Sequence, residues 1–167
     1  MNQLAMTTSR INLGPWGNDT TKVNTTRFGE IEVDNQNVIT LDDGLIGFPE
    51  YKRWLMMEHD PDSPFKWFQS LEEGAIAFVM LDPQMIDKTY HAEITPKQAE
   101  EIALDHQDDA VLAVIITMPS NPQNMTANFK APIVFNLKNR KAKQIILNHP
   151  DYTTRINVME RLKGASK

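Results

Sequence analysis

Along most of this chain the apolar residues come in short runs separated by breakers, and the spacing within the runs is that of strands rather than helices. Ile31-Glu32-Val33 alternates, Asp34-Asn35-Gln36-Asn37 is a cluster of turn formers, and Val38 to Leu41 is a second β-branched run. This pattern predicts a hairpin over residues 27 to 41. A third strand is expected around Trp54 to His59, ended by the breakers Asp60-Pro61 and Ser63-Pro64. Phe65 to Leu71 and Ala75 to Leu81 follow, separated by Glu72-Glu73-Gly74. The second of these runs is apolar throughout, which suits a strand covered on both faces. Ala110 to Thr117 has the same character and is expected as a central strand, closed by Met118-Pro119 and Asn121-Pro122. Thr126 to Phe135, the turn-rich Asn136 to Ala142 and Lys143 to Leu147 predict a final hairpin.

One helix is well signalled. Thr95 is a natural N-cap, Pro96 occupies the first helical position, and Gln98 stands three residues after Thr95 as a capping box requires. Ala99, Ile102 and Ala103 form its apolar stripe, and its end is expected near His106 to Asp109. Tyr152 to Leu162 is a candidate for a short terminal helix. The fold class is therefore mainly β, a small antiparallel β-barrel-like or sandwich domain with one or two short helices. Residues 1–23 are rich in Thr, Asn, Gly and Ser and sustain no period, so they are expected as a flexible N-terminal extension. Residues 24–163 then form a single domain, since 167 residues suit one core that buries roughly 70% of the unfolded surface.

Composition narrows the classes of function. The chain has no cysteine, which excludes a disulfide framework, thiolate metal sites and cysteine nucleophiles. No apolar run approaches the roughly 20 residues of a membrane span, and Met1 to Arg10 lacks the basic start and apolar core of a signal peptide. A cytoplasmic location and no membrane contact are expected. Charge is uneven: residues 1 to 127 hold 8 Lys and Arg against 20 Asp and Glu, whereas residues 128 to 167 hold 9 against 2. An acidic body repels nucleic acid and favours encounters with a basic protein.

Leu41-Asp42-Asp43-Gly44-Leu45-Ile46-Gly47-Phe48-Pro49-Glu50 is the most distinctive stretch. Asp43-Gly44 suits a tight turn, Gly47 permits a second unusual conformation, and Pro49 drives Phe48 out of the helical region. With no nucleophile, histidine or cysteine in it, the loop is expected to bind protein. Leu45, Gly47, Phe48, Pro49, Glu50 and Tyr51 are its candidate contact residues.

Candidate chemistry elsewhere is thin. His91-Ala92-Glu93 has the His-x-Glu spacing of zinc deaminases, but the cysteine pair that chemistry requires is missing. His59-Asp60, His106 with Asp108 and Asp109, and His149 with Asp151 are spacings usual in solvated loops. Gly44 and Gly47 make no phosphate cradle, because no Gly-Lys-Ser/Thr follows and Pro49 removes a backbone donor. Asp42-Asp43 and Glu72-Glu73 flank glycines and read as turn chemistry. No catalytic residue, metal or cofactor is assigned. Lys138-Asn139-Arg140-Lys141-Ala142-Lys143 is the one nucleic-acid candidate, without the aromatic platforms that single-strand binders add. It supports an alternative reading as a nucleic-acid-binding β-barrel acting through the basic C-terminal hairpin, residues 130 to 143. A hydrolase using His91 or His59 with a carboxylate is a third reading and requires an enclosed pocket.

From about residue 25 to 160 the chain resembles the flagellar assembly factor FliW family. Four blocks carry the resemblance: Thr26-Arg27-Phe28-Gly29-Glu30-Ile31; Asp43-Gly44 with Leu45-Ile46-Gly47-Phe48-Pro49-Glu50-Tyr51; Phe68-Gln69-Ser70-Leu71 with Ala77-Phe78 and Asp82-Pro83; and Asn128 to Asn136 leading to Gln144-Ile145-Ile146-Leu147. The resemblance implies a small antiparallel β-barrel-like protein, not an enzyme. It also implies that the protein binds flagellin in the cytoplasm and, when free, binds and antagonises the translational repressor CsrA. Two features depart from the family pattern. The extension before Val23 is longer, and Ala142 stands where a glycine is often found, so another turn conformation is expected there.

Overall fold

The computed structural model describes residues 19–58 and 60–165. The expected extension lies outside them as far as residue 18, and so does His59. Strands β1 (Thr20–Thr25) and β2 (Gly29–Asp34) form an antiparallel hairpin, with Val23 opposite Ile31. The chain then passes through β3 (Ile39–Thr40), β4 (Arg53–Glu58), β5 (Lys66–Ser70) and β6 (Ala77–Leu81) to helix α1 (Pro96–Glu101). Strands β7 (Ala110–Thr117), β8 (Thr126–Ala127), β9 (Ile133–Asn136), β10 (Lys141–Gln144) and β11 (Ile156–Asn157) follow, and helix α2 (Val158–Ala165) ends the described chain.

Seven strands close into a barrel in the order β7-β6-β5-β4-β3-β10-β9 and back to β7. The longest strand makes the closure. β7 pairs Val114 to Ile116 with β6 and Ala110 to Ala113 with β9, so it borders both ends of the ring. All these pairings are antiparallel except that of β3 with β10. β8 continues from β7 outside the ring, and β11 from β8. Closure leaves the barrel strands without a free edge to template aggregation.

Period-2 alternation decides what each strand buries. Trp54, Met56, Phe68, Phe78, Met80, Ala113, Ile115, Ile133 and Phe135 point into the barrel, where Trp54 stacks on Phe68 at 4.8 Å and Phe68 meets Phe135 edge-on at 5.7 Å. The intervening residues face outward and are covered as well. The β1–β2 hairpin lays Val23, Ile31 and Val33 over Leu55, Met57 and Leu71. On the other side, Ile86, Tyr90, Ile102, Phe129 and Tyr152 cover Leu81, Val114, Ile116 and Val134. Thus β4 and β6 read as unbroken apolar runs although only every second residue enters the barrel.

Most strands fall where the alternation places them, with four departures. The final hairpin pairs only β9 with β10, so Asn136, Lys141 and Ala142 are strand rather than turn, residues 145–147 are not strand, and Thr126–Ala127 pairs with β7 as a separate strand. The first hairpin is β1–β2 rather than residues 27 to 41. Asp34 caps a 3₁₀ turn over Asn35–Asn37, its carboxylate accepting from Gln36 N, and this turn redirects the chain from the hairpin into the barrel. Thr20 to Val23 accordingly belong to a strand and not to an extension; with Val23 as its one apolar member, β1 carries almost no signal of its own. Helix α1 has its expected capping box at Thr95 and Gln98 but stops at Glu101, well before His106. Asn136 Nδ2 donates to the carbonyls of Ile102 (2.9 Å) and Ala103 (3.1 Å), Asn139 Nδ2 donates to Ile102 (3.0 Å), and Ala103 adopts a φ of 50°. These long-range side-chain donors take the carbonyls of the C-cap and the residue after it, which a continuing helix would use in its own ladder. The terminal helix begins at Val158 rather than Tyr152, because Ile156 and Asn157 pair with β8 as β11 and Asn157 Oδ1 accepts from Glu160 N at the helix start.

Candidate protein-binding face

The loop from Asp42 to Tyr51 closes one end of the barrel. Gly44 N donates to Leu41 O at 3.0 Å, Phe48 N to Leu45 O at 2.8 Å and Tyr51 N to Phe48 O at 3.3 Å, so the segment is a succession of tight turns. Gly44 has a φ of 65°, and a Cβ there would collide with the Phe48 carbonyl and lie 2.7 Å from Pro49 Cα. Only glycine allows that approach. Gly47 has a φ of 90° with open space around it.

Contacts from distant residues fix the loop. Ile46 N donates to Gln144 Oε1 at 2.8 Å, Lys52 Nζ donates to Asp42 O at 2.6 Å, and Trp54 Nε1 donates to Tyr51 O at 2.9 Å. Lys143 Nζ reaches both Asp43 Oδ2 (2.6 Å) and Glu101 Oε2 (2.7 Å). Hydrogen bonding to Lys143 holds the Asp43 carboxyl below its ordinary range, and Asp43 and Glu101 raise Lys143. Glu72 Oε1 accepts from Arg53 N at 3.0 Å and from Lys52 N, placing a carboxylate beside the loop's exit. Partial burial raises the Tyr51 phenol, and the surrounding Glu50, Glu73 and Glu72 push it in the same direction.

The candidate contact residues divide into two groups. Leu45 is 2% exposed and belongs to the barrel core. Phe48 is half-buried, with its ring on Phe78 (5.5 Å) and Tyr51 (6.4 Å), so it plugs the barrel end rather than standing free. Gly47, Pro49 and Glu50 are exposed, and Tyr51 is half-buried. The apolar side chain the loop displays is Ile46, at 58% exposure, which sequence reasoning left out. Alternation next to Leu45 was the available signal, since adjacent extended residues face opposite ways.

Other candidate groups are differently placed. Of the basic hairpin, Lys143 is held by two carboxylates and Lys138 lies 3.4 Å from Asp109. Ala142 is 3% exposed and faces the barrel interior; the left-handed residue of that turn is Arg140, with a φ of 62°. His91, Glu93 and His149 line one surface depression, where His149 stacks on Tyr152 at 4.0 Å. His91 and Glu93 are solvent-exposed there, which is not the enclosed pocket a hydrolase reading requires. Among the described residues no group of three His, Asp or Glu side chains is gathered to hold a metal ion. No helix among them is long and apolar enough to cross a membrane.

Comparison with known proteins places this architecture. The model of the family described as FliW protein matches residues 22–158. The chain belongs to the FliW family. A FliW of Geobacter sulfurreducens, described as a flagellar assembly factor, is 41% identical over 133 residues, covering 80% of this chain and 83% of the relative. One from Syntrophus aciditrophicus, of the same description, is 38% identical over 139 residues, covering 83% of this chain and 88% of the relative. A crystal structure of the flagellar assembly factor FliW superimposes with a TM-score of 0.77 at 30% identity, over 83% of this chain and 96% of that one. The FliW match begins within β1, so it includes the hairpin as well as the barrel. The relatives' description names a part in assembly, not a class of reaction.

Proposed function

We propose that this chain is a non-enzymatic binder that takes up flagellin in the cytoplasm and, when free of flagellin, binds and antagonises CsrA. Flagellin level is thereby coupled to flagellin translation. Membership of the FliW family is the observation that carries this reading. The loop supports it in physical terms. A backbone cross-linked to β10 and β4 holds Ile46, Pro49 and Glu50 outward on a rigid base, so little conformational freedom is lost on binding. Carboxylates of Glu50, Glu72 and Glu73 around Tyr51 give this end of the barrel an acidic character suited to a basic, RNA-binding partner.

Exchange between two partners requires that binding of one weaken binding of the other by the same factor in both directions. Calorimetry with cognate flagellin and CsrA, separately and then in competition, tests this. Binding to each, with flagellin lowering the apparent affinity for CsrA, is expected; no measurable binding to either contradicts the reading.

A further inference from the structure

The end of the barrel opposite the Gly44 loop carries a groove above its buried interior side chains. Along β4 the interior residues run from Trp54 at the loop end to Met56, along β6 from Phe78 to Met80, and along β7 from Ile115 back to Ala113. Met56, Met80 and Ala113 line a groove of about 660 Å³. Met85, Val111 and Leu137 also line it, and Met85 is 55% and Val111 38% exposed. Two large apolar side chains are thus open to water around a groove whose floor residues Met56, Met80 and Ala113 are buried, and exposed apolar side chains beside a depression mark interaction sites on otherwise polar surfaces. Of the two exposed side chains, Met85 is unbranched and polarisable and adapts to irregular apolar partners.

The rim identifies the occupant. Asp62 and Asp82 line the groove, and Asp60 lies on the same turn as Asp62, its carboxylate accepting from Asp62 N at 3.0 Å. The lining cation Lys66 is 3.8 Å from Glu58, and Lys138, next to Leu137, is 3.4 Å from Asp109. The cations are matched by carboxylates, whereas no described cation pairs with Asp62 or Asp82. An apolar floor under an unneutralised acidic rim repels phosphates and lipid headgroups and attracts cations.

We propose that this barrel mouth docks an apolar peptide segment of a partner protein that carries Lys or Arg beside its apolar residues. The assignment goes beyond the partner exchange above, because a synthetic peptide reports on it whether or not flagellin and CsrA bind. The probe is a short amphipathic Leu–Lys peptide, with its Leu–Glu counterpart as control, titrated by fluorescence anisotropy against the full chain. Tighter binding of the Leu–Lys peptide is expected, weakening with salt and about tenfold weaker for Met85→Glu/Val111→Glu, a substitution of two exposed residues that leaves the unfolding transition in place. Asp62→Asn is expected to reduce the preference for the basic peptide while retaining apolar binding. Absence of binding, no preference between the peptides, or indifference to Met85→Glu/Val111→Glu overturns the proposal. So does an affinity that rises when residues 1–18 are removed, since the chain's own segment would then be the occupant.

Discussion

Lys143 Nζ lies 2.6 Å from Asp43 Oδ2, a contact that ties strand β10 to the turn opening the Gly44 loop. Because Asp43 is largely exposed, solvent screening limits the pair, and Lys143→Met should cost about 1 kcal/mol or less. The sign with pH follows from the shifts. Asp43 is lowered from 3.8, so its contribution is present above that value and lost as pH falls through the lower folded one. Lys143 is raised from 10.5, so its contribution is complete below that value and lost as pH rises through the higher folded one. Urea unfolding of wild type and Lys143→Met should therefore differ near neutrality and converge in acid below the Asp43 transition.

Gly44 and Gly47 separate steric crowding from backbone strain. Both have positive φ, but only at Gly44 would a Cβ strike the backbone of Phe48 and Pro49. Gly47→Ala should cost about 1 to 2 kcal/mol, the left-handed penalty alone. Gly44→Ala should cost clearly more, and thermal unfolding of the two variants side by side measures the difference.

Phe48 and Ile46 should separate stability from binding. Phe48→Ala removes a half-buried ring from the barrel end and should destabilise by about 2 to 3 kcal/mol, near or below the low end for a buried phenylalanine. Ile46→Glu changes an exposed side chain and should leave stability within about 0.5 kcal/mol while weakening partner binding. Equilibrium unfolding paired with calorimetry reads both effects. A reversed pattern would move the contact surface from Ile46 to the Phe48 ring.

Tyr90 is fully buried and donates its hydroxyl to Phe129 O at 2.9 Å, and burial pushes its phenol far up. Tyr90→Phe leaves that carbonyl without its partner inside the outer apolar layer. A loss of about 1 to 3 kcal/mol is expected from denaturant unfolding.

Where one strand's own residues carried the information, the sequence was legible. Ala75 to Leu81 read as a strand covered on both faces and Ala110 to Thr117 as a central strand; in β6 and most of β7 one face fills the barrel and the other lies under a separate layer, with Val111 of β7 left exposed. The Thr95 capping box read correctly because all its groups lie within four residues. What failed depended on distant partners. Helix α1 ends where Asn136 and Asn139 reach the carbonyls of Ile102 and Ala103, just past it, from more than thirty residues away, and no local pattern encodes that. β1 is polar and becomes a strand through its pairing with β2. In the loop, the glycines and Pro49 identified an unusual backbone, but not that Phe48 would turn onto Phe78 and leave Ile46 outside.

Binding to two competing partners can be read by titrating CsrA into the full chain with and without saturating cognate flagellin. A measurable CsrA affinity that falls by about tenfold or more when flagellin is present is expected. An affinity unchanged by flagellin, or no binding of either protein, would contradict it.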